Sequence, residues 1–186
     1  METIKNTKFY YIHGLHSSKE SSKFKELKKQ YNNIECLEWR INDNLDSRIF
    51  QWLKLIENNG FENNCIIASS TGCNFAYQLK NLCKSEFNMF IHLVLINPLF
   101  DIQVIYDKTI IPKNLKYFLE KVNDIKDSLI FVSENDEVID NQFYINKKLS
   151  IKNNNNVIFD KNEKHKFENI KKYFQIINDY INNIYI

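Results

Sequence analysis

Cys65-Ile66-Ile67-Ala68-Ser69-Ser70-Thr71-Gly72-Cys73 decides the fold. Its first four residues form an unbroken apolar run, which suits a strand covered on both faces, and Thr71 to Cys83 reads as a helix. A strand that passes through small residues straight into a helix is the building unit of a sheet made by crossover connections. Gly72 sharpens this, because only three glycines occur in the 186 residues. A second, Gly14, follows another apolar run in Tyr11-Ile12-His13-Gly14-Leu15. Scarce glycines in such places mark turns where a side chain would obstruct the backbone.

Working outward, Phe9 to Ile12, Phe90 to Ile96 and Leu129 to Val132 are further continuous apolar runs, suited to central strands. Ile34 to Leu37 and Val157 to Phe159 are shorter, have polar flanks, and are expected nearer the sheet edges. Amphipathic stretches alternate with these runs. Leu45, Ile49, Trp52, Leu53 and Ile56 share one helical face; Leu115, Phe118, Leu119 and Val122 share another after Pro112. Phe167, Ile170, Phe174, Ile177, Ile181 and Ile184 predict a long closing helix, and Asn141 to Leu149 a further one. Asn153 to Asn156 reads as a turn tip. With no repeat and no linker, residues 1–186 are expected to form one α/β domain: three layers, a mostly parallel sheet of about six strands, and helices on both faces.

Composition narrows the partners. Hydrophobic residues make up 44% of the chain, enough for one ordinary core, and 25 basic against 23 acidic residues leave a net charge of +2. That balance argues against nucleic acid as the main partner. The lysines from Lys19 to Lys29 are interrupted by Glu20 and Glu26 and read as a solvated helix face. Neither a signal-peptide pattern nor a run of membrane-spanning length appears, so the expectation is a cytosolic protein without a membrane partner. Cys36, Cys65, Cys73 and Cys83 lack C-x-x-C spacing and are expected to be reduced thiols, mostly buried.

The turn in the opening stretch has the strand–turn–helix context of a nucleophile elbow, G-x-S-x-G, with Ala68 in place of the first glycine. Spacing makes Ser70 the nucleophile. Sliding the motif onto Ser69 would put Thr71 where a small residue belongs. The other parts of a triad follow in the order required, each just after a strand: Asp136 in Ser133-Glu134-Asn135-Asp136-Glu137-Val138, and His165 in Glu163-Lys164-His165-Lys166-Phe167. Strand ends in a parallel sheet share one edge, so the three can converge. His165 would take the Ser70 proton while Asp136 orients the imidazole. Asp140 is the competing acid, although its place before a helical stretch suits a helix cap. Thr71 N–H and, from the first loop, Leu15 N–H are the expected oxyanion donors. His13 and His16 lack companions for a metal site, and neither a metal nor another cofactor is expected.

These segments resemble those of a known family. Tyr11-Ile12-His13-Gly14-Leu15-His16-Ser17-Ser18, Ile67-Ala68-Ser69-Ser70-Thr71-Gly72, Asp136-Glu137-Val138-Ile139-Asp140 and Glu163-Lys164-His165-Lys166-Phe167 make the chain similar to compact α/β-hydrolases, specifically the small YqiA-type esterases. The resemblance spans nearly the full length. It implies a three-layer α/β-hydrolase fold and cleavage of small acyl esters by Ser70, Asp136 and His165. The connection from Asn97 to Lys126 leaves room for only a minimal lid. Leu99 to Ile111 is expected to cover the site, with Leu99, Phe100, Ile102, Val104, Ile105 and Tyr106 forming a shallow apolar pocket. His16, Leu99, Phe100 and Tyr106 are thus the candidate substrate contacts. Two alternatives stand beside the esterase. One is a thioesterase or acyl-carrier-protein methyl esterase, with Lys19, Lys23, Lys25 and Lys28 receiving an acidic carrier. The other is a binding module that keeps the fold without the chemistry. Nothing in the sequence speaks to oligomeric state.

Overall fold

Six parallel strands form one sheet in the order β2-β1-β3-β4-β5-β6. They are β1 (Thr7–Ile12), β2 (Ile34–Cys36), β3 (Asn63–Ser69), β4 (Ile91–Ile96), β5 (Ser128–Ser133) and β6 (Asn156–Asp160). The computed structural model describes residue 4 and residues 6–141 and 155–183. Register aligns Ile12 with Ala68, Ser69 with Ile96, and Ser133 with Asp160, so the carboxyl ends of five strands lie along one rim. From β1 the chain first runs outward to β2, then returns past β1 to build β3 to β6. The direction of winding therefore changes between β1 and β3, the point at which α/β sheets open a crevice for ligands.

Alternate side chains of each central strand enter different cores. Tyr10, Ile12, Ile66, Ala68, Leu93, Leu95, Ile130 and Val132 pack beneath helices α2 (Leu45–Glu57) and α3 (Thr71–Phe87). On the opposite face Phe9, Tyr11, Cys65, Ile67, Val94, Ile96, Leu129 and Phe131 meet α1 (Ser22–Gln30) and α5 (Phe174–Asn183). Burial on both sides is why these strands read as continuous apolar runs. The outcome is a three-layer α/β fold with β2 and β6 at the edges.

Three expected elements differ. The helix after Pro112 is only α4 (Lys113–Phe118), and Leu119 is already extended. Side chains of α3 take the backbone groups that would have prolonged it: Gln78 Nε2 donates to Phe118 O, Asn74 Nδ2 donates to Glu120 O, and Asn74 Oδ1 accepts from Glu120 N. Val122 instead donates its N–H to Phe100 O. The closing helix begins at Phe174 after a 3₁₀ turn, Ile170–Tyr173; Phe167 sits in the preceding loop at φ 50°, fully buried against Phe131 and Tyr173. Phe90 precedes β4 and is exposed. Ile184, most of the stretch Asn141 to Leu149, and the first part of the turn Asn153 to Asn156 lie outside the described residues.

Candidate active site

The rim of the sheet carries a strained turn. Ser70, between β3 and α3, holds φ 53° and ψ −121°, a conformation that residues with a Cβ rarely adopt. Its backbone is fixed on both sides: Ser70 N donates to Ile96 O, and Ser70 O accepts from Cys73 N and Leu99 N. The two glycines explain how the turn fits. A Cβ on Gly72 would stand 2.5 Å from Ile12 O and 2.6 Å from His13 O; one on Gly14 would stand 3.1 Å from Ser70 Cβ. Each turn thus presses on the other where a side chain is missing. Ser70 caps α3 with its backbone alone, leaving the hydroxyl free of that role.

That hydroxyl lies 3.0 Å from His165 Nε2. The other ring nitrogen, Nδ1, is 2.8 Å from Asp136 Oδ2 and 3.0 Å from Oδ1. Asp136, buried in the loop after β5, also accepts from the N–H groups of Val138 and Ile139 and from Asn141 Nδ2. These donors satisfy a carboxylate that burial would otherwise penalise. Asp136, rather than Asp140, makes the hydrogen bond to the imidazole.

Asn97, which belongs to none of the recognised motifs, holds the imidazole's loop in place. Fully buried at φ 44°, it donates from Nδ2 to Ser133 Oγ and to the carbonyls of Lys164 and His165, while its Oδ1 accepts from Ser133 N. One amide therefore ties the ends of β4 and β5 to the histidine loop. The available signal was Ile96-Asn97-Pro98 directly after an apolar run, since asparagine tolerates the left-handed region. At the loop's start Asp160 accepts from Asn162 N, Glu163 N, Lys172 Nζ and the Tyr173 hydroxyl, which together hold its carboxyl far below the usual range despite desolvation.

A cleft of about 410 Å³ opens beside Ser70, lined by Gly14, Leu15, His16, Ser17, Ser21, Ser22, Lys23, Ser69 and His165 among others. Leu15 and His16, a candidate oxyanion donor and a candidate substrate contact, are thus among its lining residues. The N–H groups of Leu15 and Thr71 donate to no protein acceptor among the described residues. Leu99 and Phe100 are instead buried in the core, and Tyr106 is exposed outside this cleft. In place of the expected apolar cover, most of the residues that line the cleft have polar side chains. The reason is backbone pairing: Ile105 bridges Ile139, Tyr106 N donates to Val138 O, and Asp140 N donates to Val104 O, so residues 104–106 brace the acid loop.

Lys23 is a second departure. It lies on the inner face of α1 with Phe24 and Leu27, 6% exposed, and donates to Ser69 Oγ at 2.9 Å. Burial lowers its pKa from the usual 10.5 to about 8, with Glu163 and Glu168 opposing. Lys19 and Lys25, expected among a carrier-receiving set, form ion pairs with Glu38 and Glu20. The signal for Lys23 was its i, i+4 spacing from Leu27.

The remaining groups have structural partners. His13 stacks on Trp39, its Nδ1 meets Gly14 O, and burial lowers its pKa. Burial pushes the Cys73 thiol up to about 12, keeping it protonated beside the elbow. Among the described residues no group of three or more His, Cys, Asp or Glu side chains gathers to hold a metal, and no helix is long and apolar enough to cross a membrane. Two larger hollows, about 580 and 640 Å³, lie elsewhere and contain none of Ser70, Asp136 and His165.

No protein-family model and no curated protein sequence matches the chain. Solved structures do. A YdeN-like hydrolase from Pectobacterium atrosepticum superposes with a TM-score of 0.69 at 11% identity, covering 98% of this chain and 95% of the other. The Francisella virulence factor BioJ gives 0.67 at 19% identity, covering 96% of this chain and 77% of that one. The type II thioesterase BorB from the borrelidin biosynthetic cluster gives 0.63 at 9%, covering 94% and 92%. At these identities the likeness is one of architecture: the chain has the α/β-hydrolase fold.

Proposed function

We propose that the chain is a serine hydrolase that cleaves small carboxylic esters through an acyl-enzyme, as its resemblance to YqiA-type esterases implies. One observation carries the proposal: a single imidazole lies within hydrogen-bond reach of the Ser70 hydroxyl through Nε2 and of the Asp136 carboxylate through Nδ1. In this reading His165 Nε2 accepts the Ser70 proton as Oγ attacks the ester carbonyl. Asp136 keeps the remaining N–H on Nδ1 and stabilises the imidazolium. The oxyanion is taken by the open N–H groups of Thr71 and Leu15, preorganised by the elbow and by Gly14. Collapse of the tetrahedral species expels the alcohol, which takes the proton from His165, and water repeats the sequence to release the acid.

Labelling with a fluorophosphonate probe tests this directly. The wild-type protein and Ser69→Ala should react, and Ser70→Ala should not. Equal labelling of Ser70→Ala rejects the assignment of the nucleophile, and absence of labelling in the wild type favours a binding module. A thioester substrate is the second reading, motivated by the likeness to a type II thioesterase. Comparing kcat/KM for an oxygen ester and a thioester of the same acyl group separates the two. Carrier-bound substrate whose rate falls with salt would add the acidic carrier as partner.

A further inference from the structure

Lys23 is a buried ammonium that lines the cleft, where Lys166 is exposed. It is more than nine-tenths buried, and its hydrogen bond to Ser69 Oγ uses one of three donors. Among the described residues no carboxylate forms an ion pair with it: Glu163 is bound to Lys172, and Glu168, exposed at the mouth, acts on it only at longer range. A charge withdrawn from water without a directly bound counter-charge is costly, and Glu163 and Glu168 offset that cost only in part.

The surroundings favour an anion as that partner. Lys23 lies in the first turn of α1, which contains no acidic residue. The Ser21 side chain caps Phe24 N, leaving the N–H groups of Ser22 and Lys23 without an intrahelical acceptor. Ser17, Ser21 and Ser22 line the same cleft as Lys23 and Ser70. Helix N–H groups, hydroxyls and a desolvated ammonium together match a carboxylate or a similar oxyanion.

We infer that the cleft selects esters carrying a negatively charged group, held at Lys23 while the scissile carbonyl sits at Ser70. The inference rests on the serine-hydrolase reading for its kinetics, and on nothing but the cleft for its binding. The anionic group belongs to either the acyl or the alcohol portion, and two substrate pairs distinguish them. The first pair is mono-4-nitrophenyl adipate against 4-nitrophenyl hexanoate; the second is 4-acetoxybenzoate against its methyl ester.

At low ionic strength the wild-type protein should favour the charged member of one pair by about tenfold or more in kcat/KM, as expected for a charge-assisted hydrogen bond. Lys23→Met should collapse that ratio. Ser69→Ala, which removes the acceptor and keeps the cation, should retain it. No preference in either pair, or a ratio unchanged in Lys23→Met, overturns the inference. Should no ester be hydrolysed, the proposed function fails and the anion site is judged by calorimetry on Ser70→Ala. Monomethyl adipate should then bind at least about tenfold more tightly than methyl hexanoate, and equal or absent binding rejects the site. That measurement needs no Lys23 variant to fold.

Discussion

The two ends of the sheet make an instructive pair. At the amino ends, His92, Asp127, Leu129 and Asn156 line a hollow of about 580 Å³ with Phe90 and Tyr180. At the carboxyl ends the cleft is smaller, about 410 Å³, and also contains a histidine. The larger hollow has a histidine and a carboxylate but no elbow. Burial lowers the His92 pKa to about 4, and among the described residues no serine lines this hollow. Beside the smaller cleft stand a hydroxyl held at positive φ, an imidazole bonded on both sides, and behind it a carboxylate that also accepts from two backbone N–H groups. Both ends offer a hollow with a histidine; convergence and restraint occur at the smaller one.

The largest effect that would sharpen this contrast is at the carboxyl end. Ser70→Ala or His165→Ala should lower ester kcat by at least about 10⁴-fold with an unchanged melting temperature. Substantial residual turnover in both variants would remove the distinction between the two ends.

Gly72→Ala should destabilise the fold. The new methyl meets two backbone oxygens, at 2.5 and 2.6 Å, neither of which can rotate away. A loss of about 1–3 kcal/mol in urea denaturation is expected. Wild-type stability would mean that the crossing of the first loop and α3 yields more readily than its geometry implies.

Asn97→Ala should lower kcat by about tenfold to a hundredfold through misplacement of His165, with KM little changed. Asn97→Asp retains the Oδ1 acceptor for Ser133 N and should recover part of the loss. A purely structural role would instead appear as a lower melting temperature with normal kcat.

A smaller effect concerns Lys23, which faces Ser69 on β3, Cys73 on α3, and Glu163 and Glu168 from the histidine loop. Its pKa is about 8 when folded, against the usual 10.5 for an exposed lysine. Between those values the unfolded chain binds more protons, so this group makes stability rise with pH above 8. Below pH 8 both states are charged and the burial penalty is present in full. Urea midpoints at pH 7.5 and 9.5 should show this rise in the wild type and a weaker one in Lys23→Met.

The smallest effect belongs to the amino end. His92→Gln should change ester turnover by less than about twofold, since no reacting group is placed there. A large loss of kcat without unfolding would make the two ends functionally connected.

Much of the architecture could be read from the chain because burial on both faces leaves strands apolar throughout, as in Phe9 to Ile12 and Leu129 to Val132. The segments that were misread are those whose hydrophobic period serves another partner. Phe167 fits the pattern of α5 yet anchors the histidine loop, and Val122 fits that of α4 yet pairs with Phe100. Leu99 and Phe100 looked like a cover because they are apolar and follow the right strand. Their backbone neighbours pair with the acid loop, a long-range choice that no local pattern records.

By itself the sequence indicated a mostly parallel sheet of about six strands and named Ser70, Asp136 and His165 as candidates, because each depends on residue type beside a nearby apolar run. Tertiary structure alone decided that Gly14 and Gly72 press against opposite turns, that Asn97 ties three loops together, and that Lys23 turns inward beside Ser69. Those outcomes depend on the crossing of segments far apart in the chain, where sterics and hydrogen-bond satisfaction act between residues that composition and spacing cannot pair.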